Sequence, residues 1–359
     1  MIILLKQPSM KISYILNKDH NNLNLIRLIL ASMVIVGHSA ILNGGSNYWV
    51  DPITYFFPFA ASGPWAVNLF FFISGLVVTN SLINNRKPLQ FVVARLFRIM
   101  PAFAFVVILS ACIIGPIVSR FPINQYFNIS TTSTYITENL LFQVYYNLPG
   151  VFANNFYKNA VNGSLWTLAY EMSCYVILLG VFLIVRNKGK VFYNIILGLI
   201  ILEGFSPYKF IFNWLGTNPE INLLPAAFAL GSLLAINADE IKIDRFSVLG
   251  VMLIYYFFRT SGYANLFFNI ASSITILYIS SNKYFNFYRP KYDVSFGVYL
   301  WGFIVQQTLY HYTGKIYVGW HCVLSIVISF VLAYITHFLI EKPGINLGKK
   351  LAPFTNTVL

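Results

Sequence analysis

Arg27 and His38 stand eleven residues apart in LNLIRLILASMVIVGHSAIL, an otherwise apolar stretch long enough to cross a bilayer. On a helix that spacing puts both side chains on nearly the same face, about 16 Å apart along the axis. Arg27 then sits near one membrane surface and His38 at or beyond the midplane. A charge in hydrocarbon needs a partner, a cavity or the headgroup region, so both residues are candidates for function. The plainer reading is an Arg that snorkels to the interface and a His satisfied by a neighbouring helix. A carboxylate able to serve that His occurs in NGSLWTLAYEMSCYVILL, where Glu171 follows Thr167 by four residues on the same face. A Glu near His38 could orient the imidazole or share its proton, giving the ring usable basicity. A structural ion pair is the alternative.

Other polar groups fall where lipid would disfavour them. In NLFFFISGLVVTNSL, Ser74 and Gly75 permit close helix approach, and Ser81 lies seven residues further on the same face. Arg95 and Arg98, three apart in RKPLQFVVARLFRIMPAF, form a pair of guanidiniums suited to phosphate oxygens. Topology signalling or lipid-headgroup contact would use the same two charges. Asp293 is read as a helix cap, Gln306 and Gln307 as deep polar residues, and Glu341-Lys342-Pro343 as the end of the last helix. His311, His321 and His337 have no convergent ligand pattern and are read as structural or interfacial. Cys112, Cys174 and Cys322 lack metal or CxxC spacing and read as packing residues.

The elements that must position these groups are membrane helices. The chain is 57% hydrophobic and 10% charged, with a mean hydropathy of +0.67, against about 25% charged residues in a soluble domain. Apolar stretches predict an all-α integral membrane protein with about ten spans: 23–43, 63–83, 99–118, 164–185, 191–206, 219–238, 246–262, 264–281, 293–312 and 319–340. Residues 1–22 form a cytoplasmic segment too polar for a cleavable signal, 23–345 the membrane domain, and 346–359 a short cytoplasmic tail. With both termini inside, 19 of the 24 Lys and Arg face the cytoplasm and 5 face out. The net charge of +13 is thereby explained by short interhelical loops, and a nucleic-acid partner is excluded for want of a soluble basic face. Outward loops 44–62 and 119–163 are rich in amides and aromatics, suited to binding a polar glycan or to acting as solvated linkers.

In this order and spacing the motifs resemble the acyltransferase 3 family of polytopic membrane O-acyltransferases, over about residues 20 to 345. The resemblance is carried by Arg27 and His38, by FFFISGLVVTNS with Ser74, Gly75 and Ser81, and by RLFR with Arg95 and Arg98. It continues in Trp166-Thr167-Leu168-x-x-Glu171, DVSFGVYL and the closing Glu-Lys-Pro. Trp301 stands where relatives often carry a His, so that position is given no catalytic role. The likeness is to stand-alone members without an appended esterase-like domain, some of which acetylate surface polysaccharides and nodulation oligosaccharides.

The resemblance implies transfer of an acyl group, acetyl foremost, from cytoplasmic acetyl-CoA to a hydroxyl of a lipid-linked or polymeric surface glycan on the outer side, without a metal. Arg95 and Arg98 would hold donor phosphates and Arg27 would align the pantetheine arm or thioester. His38 would act as general base or carry the acyl group briefly, with Glu171 as its partner. Ser74, Ser81, Trp166 and Thr167 would line the site. A multi-pass address in the cell membrane follows, the inner membrane in a Gram-negative source, with membrane lipids as surroundings. Two other readings are a different donor such as succinyl-CoA, and a glycan or lipid transporter. The second is weakened by the lack of a matched pair of Gly/Pro-broken helices.

Overall fold

A computed structural model describes residues 9–45, 49–206, 210–211, 223–282, 285 and 288–352. The membrane-helix candidates begin with α1 (Leu23–Leu42), α2 (Ser62–Asn85) and α3 (Pro88–Leu109), which continues through a π turn (Ser110–Ile114) to Val118. Two short helices follow, α4 (Ile123–Asn128) and α5 (Thr131–Leu140). Next come α6 (Trp166–Val185), α7 (Lys190–Glu203), α8 (Leu224–Ile236), α9 (Arg245–Phe258), α10 (Ala264–Ser280) and α11 (Ser295–Thr313). The series closes with α12 (Val318–Thr336), a π turn (His337–Glu341) and α13 (Lys342–Leu351), which together form one continuous helix.

A helix thus lies at each of the ten expected segments, the start of the sixth (219–222) falling outside the described residues. Among the described residues, five helices are long and apolar enough to cross a membrane: Leu23–Leu42, Ser62–Asn85, Pro88–Val118, Trp166–Val185 and Val318–Leu351. The 14 residues of α7 and of α9 reach about 21 Å, short of a hydrocarbon core of about 30 Å.

Two boundaries differ from expectation. The third helix starts eleven residues before position 99, because Arg86, at φ +50°, ends α2 by donating its N–H to Leu82 O, and Pro88 opens the next helix where no N–H is needed. Arg95 and Arg98 are therefore within α3 rather than at its threshold. Glu341-Lys342-Pro343 is likewise not a helix end: Pro343 follows directly on the π turn, where the ladder is already interrupted, and the chain stays helical to Leu351.

The chain divides into two compact units. The first comprises Met1–Leu30, Phe57–Arg86 and Tyr170–Asp293. There α2 and α8 cross in backbone contact: a Cβ on Gly75 would lie 2.0 Å from Phe228 O, and one on Gly231 2.0 Å from Phe72 O. Thr79 Oγ1 donates to Ser232 Oγ at 2.8 Å beside that crossing. Leu197 of α7 packs with Ala229 and Ile236 of α8, and Trp65 Nε1 donates to Ser272 Oγ at 3.0 Å, joining α2 to α10. A two-residue antiparallel ladder pairs β1 (Met10–Lys11) with β2 (Lys242–Ile243) in the register Met10 to Ile243.

The second unit comprises Ala31–Phe56, Lys87–Ala169 and Val294–Leu359. Gly297 of α11 admits Ala333 of α12, and Trp301 Nε1 donates to Thr336 Oγ1 at 2.9 Å, a packing role for the position where relatives often carry a His. Pro101 and Phe97 of α3 fill the space left by Gly344 and Gly348 of α13. Segment 119–163 is a folded element, not a solvated linker. Ser119 bridges to Val151, while Tyr126, Tyr135, Val151 and Phe152 are fully buried. Tyr126 Oη donates at 2.7 Å to Ala111 O inside the α3 π turn, where the helical ladder is interrupted. Burial pushes the Tyr126 and Tyr135 hydroxyls far above the ordinary phenol range, so both remain protonated.

Candidate active site

His38 is half-buried on α1, its ring 5.4 Å from that of Phe303 and nearly perpendicular to it. Neither of its ring nitrogens is hydrogen-bonded to another described residue. The helix turn that carries it is held by Gln306, fully buried on α11, whose Nε2 donates to Ile35 O and to Ser39 Oγ, each at 2.9 Å. His321 Nε2 lies 3.1 Å from Gln306 O, which braces the same glutamine from α12. The helix turn that carries the imidazole is thus braced while its nitrogens stay available, an arrangement fit for moving a proton.

Arg27, in the first turns of α1, forms an ion pair with Asp293 through Nη1 and Oδ2. Asp293 was expected to cap its helix. The cap position of α11 belongs instead to Val294, which makes no side-chain cap bond, and the carboxylate is turned to Arg27. A guanidinium near the start of an apolar helix gains more from a facing carboxylate than a helix end gains from that carboxylate as a cap.

Glu171 has the hydroxyls of Tyr175 and Ser74 as hydrogen-bond donors to Oε1, the latter at 3.4 Å, and the two hydroxyls are 2.9 Å apart. Tyr175, one turn beyond Glu171 on α6, was not singled out from the sequence, although its i,i+4 spacing was readable. Thr167 has different partners: its Oγ1 is 2.6 Å from Tyr299 Oη, which donates to Ser164 O at 2.7 Å. That trio pins the start of α6, where Trp166 opens the helix, to α11. Ser81 is near the end of α2 and accepts from Asn85 Nδ2 at its carbonyl, 2.8 Å away. No described hydrogen bond joins it to Ser74.

On α3 the two arginines are treated differently. Arg98 forms an ion pair with Glu341 Oε1, while His337 Nδ1 lies 3.0 Å from the other carboxylate oxygen. Glu341 is 1% exposed and Arg98 also stands over the Phe296 ring at 5.9 Å. Arg95 is half-buried and has no ion-pair partner among the described residues. It is therefore the guanidinium available to an external anion. His337 and Glu341, separated by one helical turn, were read as unrelated structural residues. Their pairing depends on the helix continuing through the π turn. The described residues hold no group of three or more His, Cys, Asp or Glu side chains placed to bind a metal ion. Cys112 is exposed, Cys174 and Cys322 are buried, and all three are free thiols.

Segment 119–163 is tied to α11 through Gln307. This glutamine accepts from Asn155 Nδ2 at 2.9 Å and donates from Nε2 to Tyr157 O and Ala160 O, each at 2.8 Å. Asn162 Nδ2 donates to Leu300 O at 2.9 Å, and Gly163 leaves room for the Phe303 ring. Of the loop 44–62, residues 46–48 lie outside the described residues.

These features define a helical membrane protein with ionisable and hydroxyl side chains gathered inside apolar helices. The chain belongs to the Acyltransferase domain family whose model matches residues 20–340. It is 28% identical to a protein of Shigella phage Sf6 called O-acetyl transferase, over 90% of this chain and 95% of that one. It is 31% identical to nodulation protein 10 of Rhizobium leguminosarum bv. viciae over 44% of this chain and 43% of the relative. No solved structure matches the chain significantly.

Proposed function

We propose that this acyltransferase is a multi-pass O-acetyltransferase of the cell membrane. It takes the acetyl group from cytoplasmic acetyl-CoA and transfers it to a hydroxyl of a lipid-linked or polymeric surface glycan on the outer side. The shorter helices α7 to α11 complete ten crossings in this reading, with both termini cytoplasmic. The observation that carries it is the His38 imidazole, carried on a braced turn of an apolar helix with neither nitrogen hydrogen-bonded to a described residue. A purely structural scaffold gives no reason for such a group, and the relative called O-acetyl transferase, matched over 90% of this chain, favours acyl transfer over transport.

In the proposed reaction Arg95 binds the donor phosphates, with Arg98 beside it under the control of Glu341, and Arg27 aligns the thioester arm. His38 removes the proton of the glycan hydroxyl as its oxygen attacks the thioester carbonyl. The carbon–sulfur bond breaks, and the proton passes from the imidazolium to the leaving thiolate, yielding an ester and free CoA. Glu171, with Tyr175 and Ser74 donating to it, is the negative group proposed to favour the imidazolium. Ser74, Ser81, Trp166 and Thr167 shape the path around it.

The test uses inverted membrane vesicles loaded in their lumen with the producing cell's surface glycan and supplied outside with labelled acetyl-CoA, comparing wild type with His38→Ala at equal abundance. Label in a glycan ester that disappears in the variant supports the reading. Equal label in both removes His38 from the chemistry, and no label from acetyl-CoA but label from succinyl-CoA moves the reading to that donor.

A further inference from the structure

The structure assigns a second role to segment 119–163: we infer that residues 156–159 form an acceptor subsite in which the Tyr157 ring stacks a sugar of the glycan. That sugar is the neighbour of the one acylated at His38. The inference rests on the acyl-transfer reading for its reaction, and on geometry for its location.

Phe156, Tyr157, Lys158 and Asn159 are exposed, whereas Asn155 and Ala160 on either side are buried. Both buried ends are tied to Gln307: Asn155 by its side chain and Ala160 by its carbonyl, with the Tyr157 carbonyl bound to the same Nε2. The segment is bent by two left-handed residues other than glycine, Phe152 at φ +52° and Asn159 at φ +64°. Phe152 O accepts from the N–H of Asn155 at 3.1 Å and of Asn159 at 3.4 Å, closing the bend on itself. Strained backbone persists where its surroundings over-determine it, and a loop spent on holding exposed side chains in one pose is suited to recognition.

The pose has a direction. The Tyr157 ring is 6.1 Å from Phe303, and the other aromatic ring beside Phe303 is that of His38 at 5.4 Å. Two ring contacts therefore lead from an exposed tyrosine to the reactive imidazole, and the proposal seats the neighbouring sugar at Tyr157. An aromatic face meets the C–H face of a pyranose, and the exposed amides of Asn154 and Asn159 offer both donors and acceptors to its hydroxyls. Because Gln307 holds the backbone of Tyr157 and not its ring, the ring can be replaced without releasing the loop.

The experiment uses the full chain in lipid nanodiscs with labelled acetyl-CoA and two acceptor classes. These are oligosaccharide repeat units released from the producing cell's surface glycan, and methyl glycosides of the same sugars. Tyr157→Ala is expected to raise KM for the oligosaccharide about tenfold, the size of one lost aromatic contact. KM for acetyl-CoA and turnover of the methyl glycosides should not move, and Tyr157→Phe and Tyr157→Trp should behave as wild type. An unchanged oligosaccharide KM in Tyr157→Ala, or an equal loss for the methyl glycosides, overturns the subsite while leaving acyl transfer intact. If folded wild type esterifies neither acceptor, the acetyl-transfer reading fails, and saturation-transfer NMR with the oligosaccharide decides the subsite alone. Binding lost in Tyr157→Ala upholds it; binding absent from wild type or equal in both overturns it.

Discussion

Arg98 of α3 and Glu341 of the α12 π turn form a buried ion pair, with His337 on the second carboxylate oxygen. Removing one member of such a pair leaves a charge in an apolar surrounding without compensation and costs about 3–5 kcal/mol. Glu341→Ala is therefore expected to lower the thermal midpoint sharply and to reduce abundance in the membrane. Replacing both residues, Arg98→Met with Glu341→Met, should recover most of that stability but not activity, because the guanidinium is also proposed to serve the donor. Thermal unfolding in detergent, alongside acetyl transfer by the same preparations, checks both halves. A double variant no more stable than Glu341→Ala would show that the pair does not account for the loss.

Arg27 and Asp293 call for a parallel experiment with a different expected outcome. Their side chains are 31% and 18% exposed, so the pair is reachable and its breakage should cost less than that of Arg98 and Glu341. In the charge-free double variant Arg27→Met with Asp293→Met, stability is expected to stay near wild type. KM for acetyl-CoA should still rise about tenfold, since the guanidinium is lost from the thioester path. Normal KM in the double variant would reduce Arg27 to a structural partner of Asp293.

Much of this architecture is readable in the chain because lipid imposes a simple rule: a helix must be apolar, so its exceptions stand out. That rule marks Arg27, His38, Arg95, Arg98 and Glu171 without a structure. It does not say who meets whom. Asp293 looks like a cap because it precedes a helix start, and only the fold turns it toward a residue 266 positions away. Glu341 looks like a terminus because Pro343 follows, yet the π turn before it lets the helix run on past the proline, and the pairing with Arg98 lies in that turn. Gln306 and Gln307 were visible as deep polar residues. Their opposite assignments, one to the turn bearing His38 and the other to segment 119–163, follow from helical rotation and not from composition.

The crossing of α2 and α8 predicts a strong contrast among glycines. Gly75 and Gly231 each face the other helix's backbone, which no rotamer change can move. Gly75→Ala and Gly231→Ala should therefore each force the helices apart and lower the thermal midpoint by several degrees or prevent folding. Gly250, inside α9 with nothing within 4 Å of a built Cβ, is the control. There alanine relieves the entropic penalty of a mid-helix glycine and should be neutral or stabilising by up to about 1 kcal/mol. Equal effects at Gly75 and Gly250 would contradict the close crossing.

The start of α9 offers a pH test outside the membrane helices. Asp244 accepts from the Ser247 N–H at 2.9 Å, and Ser247 Oγ accepts from the Asp244 N–H at 3.3 Å, forming a reciprocal cap. The hydrogen bonds from Ser247 hold the Asp244 carboxyl below its ordinary value. A carboxyl with a lower value folded than unfolded stabilises the fold above the ordinary carboxylate range. That contribution is lost as pH falls through the depressed folded value. Asp244→Ala should thus be less stable than wild type by about 1 kcal/mol near neutrality, and the gap should narrow in acid below about pH 4, toward that left by a neutral capping oxygen. Asp244→Asn keeps a capping oxygen without the charge, so it should lie between the two at neutral pH, with its own stability free of this titration. Thermal midpoints of the three proteins measured across that pH range decide it, and a gap that stays constant into acid would mean that the Asp244 charge takes no part in the cap.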